Sequence, residues 1–422
     1  LKTDFLEPYA RVVGLAEMAA LEQLAHPLAG ARVLHVNSTK EGGGVAEILH
    51  KLVPFQRALG LDASWEVVEG DPVFYQCTKG FHNAIQGNVV PVLEAHLQAY
   101  LETNERNAVR LRDALREADF VFIHDPQPAA MLCHVPDRQG KWIWRCHVDA
   151  SRPYRPVWRF LQDIVKDYDA SVFSLPEFAQ SLPHPQFLVP PSIDPTSDKN
   201  RELSSAEVSG VFERFCLDPE IPLVLQVSRF DRFKDPVGVI EACQIARKLT
   251  PLQLVLAGGG ADDDPEGEAV LREVHAAGTG DPGVHVLLLP SDAHTTINAL
   301  QRASTVVLQK SLREGFGLTV TEAMWKGKPV VGGDAGGIRL QVVNHHTGFL
   351  VRTPEGAALR LRYLLHNTEE RERMGRTAQD FVRASFLLPR LVTDHLSIML
   401  RLRRGDGDRI ELPARNGRHG AQ

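Results

Sequence analysis

The stretch Thr305-Val-Val-Leu308, Gln309-Lys-Ser-Leu-Arg-Glu314-Gly-Phe-Gly317, Leu318-Thr-Val-Thr-Glu322-Ala-Met-Trp-Lys-Gly327, Lys328-Pro-Val-Val331 reads as strand, glycine turn, helix and strand. Strands alternating with helices in this way are the pattern of a parallel sheet covered by helices. Working outward, the same alternation occupies the rest of the second half, with strands expected at Leu223 to Val227, Leu252 to Leu256, Val284 to Leu289, Thr305 to Leu308 and Pro329 to Val331. It is found again in the first half, at Arg32 to Val36, Ser64 to Val68, Phe120 to His124, Trp142 to His147 and Ser171 to Ser174. Helical period separates the strands, most clearly from Val45 to Leu59, where Val45, Ile48, Leu49, Leu52 and Val53 share a face and Gly60 supplies a stop. The expected fold class is α/β, with two Rossmann-like parallel-sheet domains facing a central cleft. Residues 1–190 would form the first, completed by a C-terminal helix near 385–402, and residues 201–384 the second. Between them, Val189-Pro-Pro-Ser-Ile-Asp-Pro-Thr-Ser-Asp-Lys-Asn200 predicts an extended linker over 191–200. Residues 404–422 lack apolar period and are expected to be a mobile tail.

Composition narrows the function classes. The 422 residues are 43% apolar and 24% charged, with 33 Gly and 27 Pro, which fits a globular chain and excludes a disulfide-stapled miniprotein. A net charge of -6 argues against nucleic acid as a partner. Five scattered cysteines, Cys77, Cys133, Cys146, Cys216 and Cys243, form no CxxC pair and are expected to be buried, reduced thiols. No leader-like segment precedes Ala31 and no run reaches the roughly 18 apolar residues of a membrane span, so a cytoplasmic location without a membrane partner is expected.

Three loops carry candidate chemistry. Gly42-Gly43-Gly44 stands between a strand and the helix near Val45, where backbone can approach a ligand and unpaired N–H groups can meet an anion. The same segment read alone fits a tight turn without a ligand equally well, and it lacks the GxGxxG of dinucleotide enzymes. Ser228-Arg229-Phe-Asp-Arg-Phe-Lys234 follows a strand, so Arg229 and Lys234 can enter the cleft, where two cations suit a diphosphate. Glu314 in its loop and Glu322 one turn into its helix suit sugar and ribose hydroxyls, while the N–H groups of Leu318 and Thr319 suit phosphate. Gly332-Gly333-Asp334-Ala-Gly336-Gly337 is expected to line the same cleft.

Taken together, Arg229, Lys234 and Glu314 with Glu322 in a Glu-x7-Glu signature resemble the retaining glycosyltransferases of the GT-B fold, family four. His35-Val-Asn-Ser-Thr-Lys-Glu-Gly-Gly-Gly-Val-Ala-Glu47, Trp144-Arg-Cys-His-Val-Asp-Ala-Ser151 and Val189-Pro-Pro-Ser-Ile-Asp-Pro195 look most like that family's trehalose-forming glycosyltransferring synthases. The resemblance spans nearly all of residues 1–400. It implies reversible transfer of glucose from a nucleoside-diphosphate glucose (ADP, UDP or GDP) to free glucose, giving α,α-trehalose by a front-face route. No further cofactor or metal is implied, and homodimers are common in the group. The roles it implies are Arg229 and Lys234 on the departing diphosphate, Glu314 on the donor sugar and Glu322 on the ribose. Gly43, Gly44, Leu318 and Thr319 would complete the phosphate cradle. His147 would lie beside the donor sugar, Asp125 would hold the acceptor, and Asp149 and Arg152 would assist it. The base would rest near Leu287 to Pro290. Alternatives are a retaining trehalose phosphorylase and a noncatalytic nucleotide-sugar binding protein.

Other signals are set aside. His124 is expected to be a packed core histidine, and Trp142 and Trp144 have strand spacing and belong to the core. Asp262-Asp263-Asp264 is expected to be a solvated loop and His345-His346 an exposed turn.

Overall fold

The computed structural model describes residues 4–41, 43–259 and 265–405, except the side chains of 265 and 266. Gly42, Asp262 to Asp264 and residues 406–422 lie outside the described residues, and with them the expectations placed there. The first sheet contains β1 (Arg32–Asn37), β2 (Asp62–Val67), β3 (Phe120–His124), β4 (Lys141–Arg145), β5 (Ala170–Phe173) and β6 (Gln186–Leu188), in the order β2-β1-β3-β4-β5-β6. The second contains β7 (Leu223–Val227), β8 (Gln253–Gly258), β9 (Val284–Leu288), β10 (Val306–Gln309), β11 (Val330–Gly333) and β12 (Gly348–Val351), in the order β12-β11-β10-β7-β8-β9. Every strand pair is parallel. The two Rossmann-like sheets thus have the α/β architecture read from the sequence.

The central strands β3, β5, β7 and β10 are buried throughout, as expected for strands covered by helices on both faces. Trp142 and Trp144 are fully buried in the first core. The edge strands β6 and β12 are absent from the sequence reading: they have three and four residues, and β6 is only half-buried, so neither has a long apolar run. The helix Leu388–Arg404 crosses back to the first sheet, packing Leu391, Val392 and Leu396 with Val33, Phe122 and Ile143.

Two expectations are corrected. The 191–200 segment is packed rather than extended: Ile193 N–H donates to Phe386 C=O at 2.9 Å, and Leu388 N–H donates to Ile193 C=O at 3.0 Å. Its last residue, Asn200, is buried and receives both the Trp325 indole N–H and Lys326 Nζ. Proline density here shapes a turn, and the hydrogen bonds above tie its backbone and Asn200 to the rest of the fold. Of the cysteines, Cys77, Cys146 and Cys243 are buried, but Cys133, on the short helix Ala129–His134, and Cys216, in the turn after the helix Ser205–Arg214, are exposed. Among the described residues no helix is long and apolar enough to cross a membrane.

Candidate active site

In an open parallel sheet, ligands bind beyond the carboxyl ends of the strands where the strand order reverses. Those points lie between β1 and β3 in one sheet and between β7 and β10 in the other. Gly43 follows β1, Asp125 follows β3, Arg229 and Lys234 follow β7, and Glu314 follows β10. The loop residues selected by chemistry therefore sit at both switch points.

Two helices start there without a side-chain cap. Gly43 precedes Gly44–Ala58 at φ 85°, and Gly317 precedes Leu318–Trp325 at φ 86°, a left-handed backbone that favours glycine. The first N–H groups of each helix, including those of Leu318 and Thr319, have no intrahelical acceptor. The two starts meet: a Cβ placed on Gly44 would stand 3.7 Å from Leu318 Cδ1. A Cβ on Gly315 would stand 3.8 Å from the His147 carbonyl oxygen, so the Glu314 loop also reaches the first sheet.

Lys234 and Glu314 are in direct contact, with Nζ 2.8 and 2.7 Å from the two carboxylate oxygens. Ser311 Oγ also donates to Glu314, at 3.1 Å. Arg229 is not part of this pair. Its side chain is 73% exposed and meets Asp231 at 3.5 Å. Its charge reaches His82 of the first half, whose pKa falls through burial and then through that cation. The Gly332 to Gly337 turn packs against the Glu314 loop. A Cβ on Gly336, at φ 44°, would lie 1.6 Å from Glu314 C=O, and Gly337 N–H donates to Gly315 C=O at 3.1 Å.

A cleft of about 670 Å³ opens between the halves, lined by Gly43, Glu47, Lys199, Leu318 and Glu322 among others. Ser291, Asp292 and His294 line it just beyond the expected base segment. Glu322 is only 4% exposed. Burial raises its pKa, opposed by the charges of Lys199 and Lys326. The sequence reading missed Lys199, whose Nζ donates to Glu47 at 2.8 Å across the cleft. The only local signal was a cation ending a proline-rich stretch opposite a carboxylate one turn into a glycine-led helix.

In the first half, Asp125 adopts a left-handed backbone at φ 64° and its Oδ1 accepts the His147 backbone N–H at 2.7 Å. Burial raises the Asp125 pKa to about 6, opposed by that hydrogen bond and by Arg145. His124 is buried, as expected, but its ring joins the site: Nδ1 lies 3.0 Å from His147 Nε2 and Nε2 lies 3.1 Å from His35 Nδ1. Burial, then the Arg145 and His395 charges, holds His147 well below the ordinary histidine range. Asp149 Oδ1 accepts the Ser151 backbone N–H at 2.9 Å. Arg152 is exposed, and its carbonyl packs against Gly87. Neither side chain hydrogen-bonds to Asp125 or His147 among the described residues. No group of His, Cys, Asp and Glu among those residues is arranged to hold a metal ion.

Residues 35–180 match the family described as trehalose synthase, N-terminal domain, and residues 213–381 match glycosyl transferases group 1. A trehalose synthase of Pyrococcus horikoshii is 44% identical over 403 residues, covering 93% of this chain and 95% of that protein. A trehalose phosphorylase of Pleurotus pulmonarius is 28% identical over 84% of this chain but only 55% of its own length. The solved UDP-forming α,α-trehalose-phosphate synthase of Burkholderia xenovorans superposes with a TM-score of 0.69 at 14% identity, covering 88% of this chain and 100% of that one, which shows the shared fold. With parallel sheets of this order and relatives matching almost end to end, the chain belongs to the trehalose synthase family of GT-B glycosyltransferases.

Proposed function

We propose that this protein moves glucose reversibly from a nucleoside-diphosphate glucose to the anomeric hydroxyl of free glucose, forming α,α-trehalose with retention of configuration. The observation that carries the reading is the Lys234–Glu314 pair beside two uncapped helix starts, with Glu322 buried at the adjoining cleft. A diphosphate needs cations and N–H donors, and a sugar needs carboxylates that accept from its hydroxyls. Short contacts link the loops that carry them: a Cβ on Gly317 would stand 3.1 Å from Glu314 Cγ, and one on Gly44 3.7 Å from Leu318 Cδ1. The nucleotide sugar implied by the family fits this combination, and the related solved synthase is itself described as UDP-forming.

In this reading Lys234, joined by Arg229, stabilises the charge that develops on the leaving diphosphate. Glu314 orients the donor sugar and Glu322 the ribose, while Gly43, Gly44, Leu318 and Thr319 offer backbone N–H groups to phosphate. His147 stands beside the donor sugar. Asp125, with Asp149 and Arg152 on the following loop, receives acceptor hydroxyls. Retention proceeds on the front face: the bond from the anomeric carbon to phosphate oxygen breaks, the acceptor oxygen forms the new bond, and its proton passes to the leaving phosphate. Acceleration comes from positioning and preorganised charge.

The test incubates the protein with trehalose and, in separate arms, ADP, UDP, GDP or inorganic phosphate. A nucleoside-diphosphate glucose plus glucose is expected. Glucose 1-phosphate formed only in the phosphate arm would replace the reading with a phosphorylase, and binding without any product would make the protein a noncatalytic binder.

A further inference from the structure

Behind His147 runs a chain of buried polar side chains that no role above requires. Gln56 Oε1 lies 3.0 Å from His35 Nε2, His35 Nδ1 lies 3.1 Å from His124 Nε2, and His124 Nδ1 lies 3.0 Å from His147 Nε2. The residues come from the helix Gly44–Ala58, from β1, from the end of β3 and from the loop after β4. Gln56 and His35 are 0% exposed and His124 is 3% exposed, so water does not substitute along the chain. Phe122 stacks on His35 with ring centroids 5.0 Å apart, and His395 stacks on Phe122 and lies tilted to His35 at 6.0 Å.

A neutral imidazole has one N–H and one lone pair. Each contact between rings needs one of each, so the proton order at one end fixes the order at the other. Gln56 presents an oxygen, which only accepts. His35 must then donate from Nε2 and accept at Nδ1; His124 must donate from Nε2 and accept at Nδ1; His147 must donate from Nε2. Burial holds all three rings below the ordinary histidine range, His35 at about 4, so each carries a single proton. His147 Nδ1 has no protein partner among the described residues.

We infer that Gln56, His35 and His124 are positioning residues that lock His147 as its Nε2–H tautomer and present the bare Nδ1 lone pair to a hydroxyl of the bound sugar. The sugar part of this inference rests on the proposed function; the tautomer part does not.

The experiment records nitrogen spectra of isotope-labelled histidine rings in the substrate-free wild-type protein, with His147 assigned by the signal lost in His147→Gln. A single Nε2-protonated form at His147 is expected. The Nδ1-protonated form, which a Gln56 amide turned end for end would impose, overturns the inference. In Gln56→Leu, with folding checked by melting, both tautomers should appear at His147. The kcat/KM for the sugar donor should fall by the fraction of molecules that lose the Nε2–H form, about twofold for an even mixture. An unchanged His147 tautomer in that variant also overturns the inference. Absence of all glucosyl transfer alongside the expected spectra would defeat the proposed function while leaving the tautomer lock established.

Discussion

Replacing Lys234 by Ala tests the leaving-group assignment most directly. In the free protein this ammonium is committed to Glu314, at 2.7 Å from one carboxylate oxygen, and the two side chains are 18% and 9% exposed. A diphosphate oxygen arriving about 4 Å from Nζ would interact by about 4 kcal/mol at an effective dielectric near 20. Most of that attraction already exists in the bound donor. Only the charge gained as the sugar–oxygen bond breaks accelerates the reaction. Removing one preorganised stabiliser of developing charge costs about 2.7–4 kcal/mol, so kcat should fall roughly a hundred- to a thousandfold. The same substitution strands Glu314, which keeps the Ser311 hydroxyl at 3.1 Å as its hydrogen bond. An unpaired and largely buried carboxylate destabilises the fold, so Lys234→Ala should also melt at lower temperature. Lys234→Ala/Glu314→Gln removes the stranded charge and should recover the melting temperature without recovering the rate. Initial rates of nucleotide-glucose formation from trehalose, with melting curves for both variants, separate the two effects. A single variant within threefold of wild-type kcat, or a double variant that regains the rate, would refute the reasoning.

Three further outcomes are expected. Glu322→Gln should raise the KM for nucleotide-glucose about tenfold, the scale of one hydrogen bond to a charged group, with kcat within threefold; a large fall in kcat at constant KM contradicts the ribose assignment. Because burial moves Asp125 from 3.8 to about 6, the folded state holds a proton that the unfolded state has lost, and stability should fall as pH rises between those values, by up to about 3 kcal/mol. Melting across that range should show the fall in wild type and not in Asp125→Asn, and kcat/KM for glucose should rise as Asp125 ionises near pH 6 if its carboxylate holds the acceptor. Gly336→Ala forces a methyl onto the Glu314 carbonyl, 1.6 Å from the ideal Cβ, and should lower both stability and turnover, whereas Gly210→Ala, on an open helix face with nothing within 4 Å, should stabilise by about 1 kcal/mol.

The sheets and their first loops were legible because the information is local. Val306 to Gln309 is four buried residues in a row, Gly315 and Gly317 follow Glu314 in its turn, and the Glu322 helix begins right after Gly317. Features built from distant chain segments were not. Lys199 and Glu47 are 152 residues apart, and His35 and His124 are 89 apart, so no window of sequence contains either pair. His124 shows how the bland reading can be right about burial and incomplete about role: apolar neighbours along β3 identify a core position but do not reveal that another imidazole waits at hydrogen-bond distance. The glycines of 332–337 show the same limit. Their composition announces a close approach, and it does not say whether the approaching backbone belongs to a ligand or, as here, to the loop that holds Glu314.

The Lys234–Glu314 contact also constrains what can occupy the site. Without an occupant, cation and carboxylate satisfy each other, and neither is left as a buried charge without a partner. A ligand that engages both must part them. A free sugar offers hydroxyls to Glu314 but leaves Lys234 without its counter-charge. Inorganic phosphate offers charge to Lys234 but leaves Glu314 facing another anion. A sugar already joined to phosphate supplies both replacements at once, hydroxyls on one side of the scissile bond and negative charge on the other. The contact thus favours an occupant whose two chemistries straddle the bond to be broken; nucleotide glucose is that occupant in the proposed reading, which puts its ribose at Glu322 in the adjoining cleft.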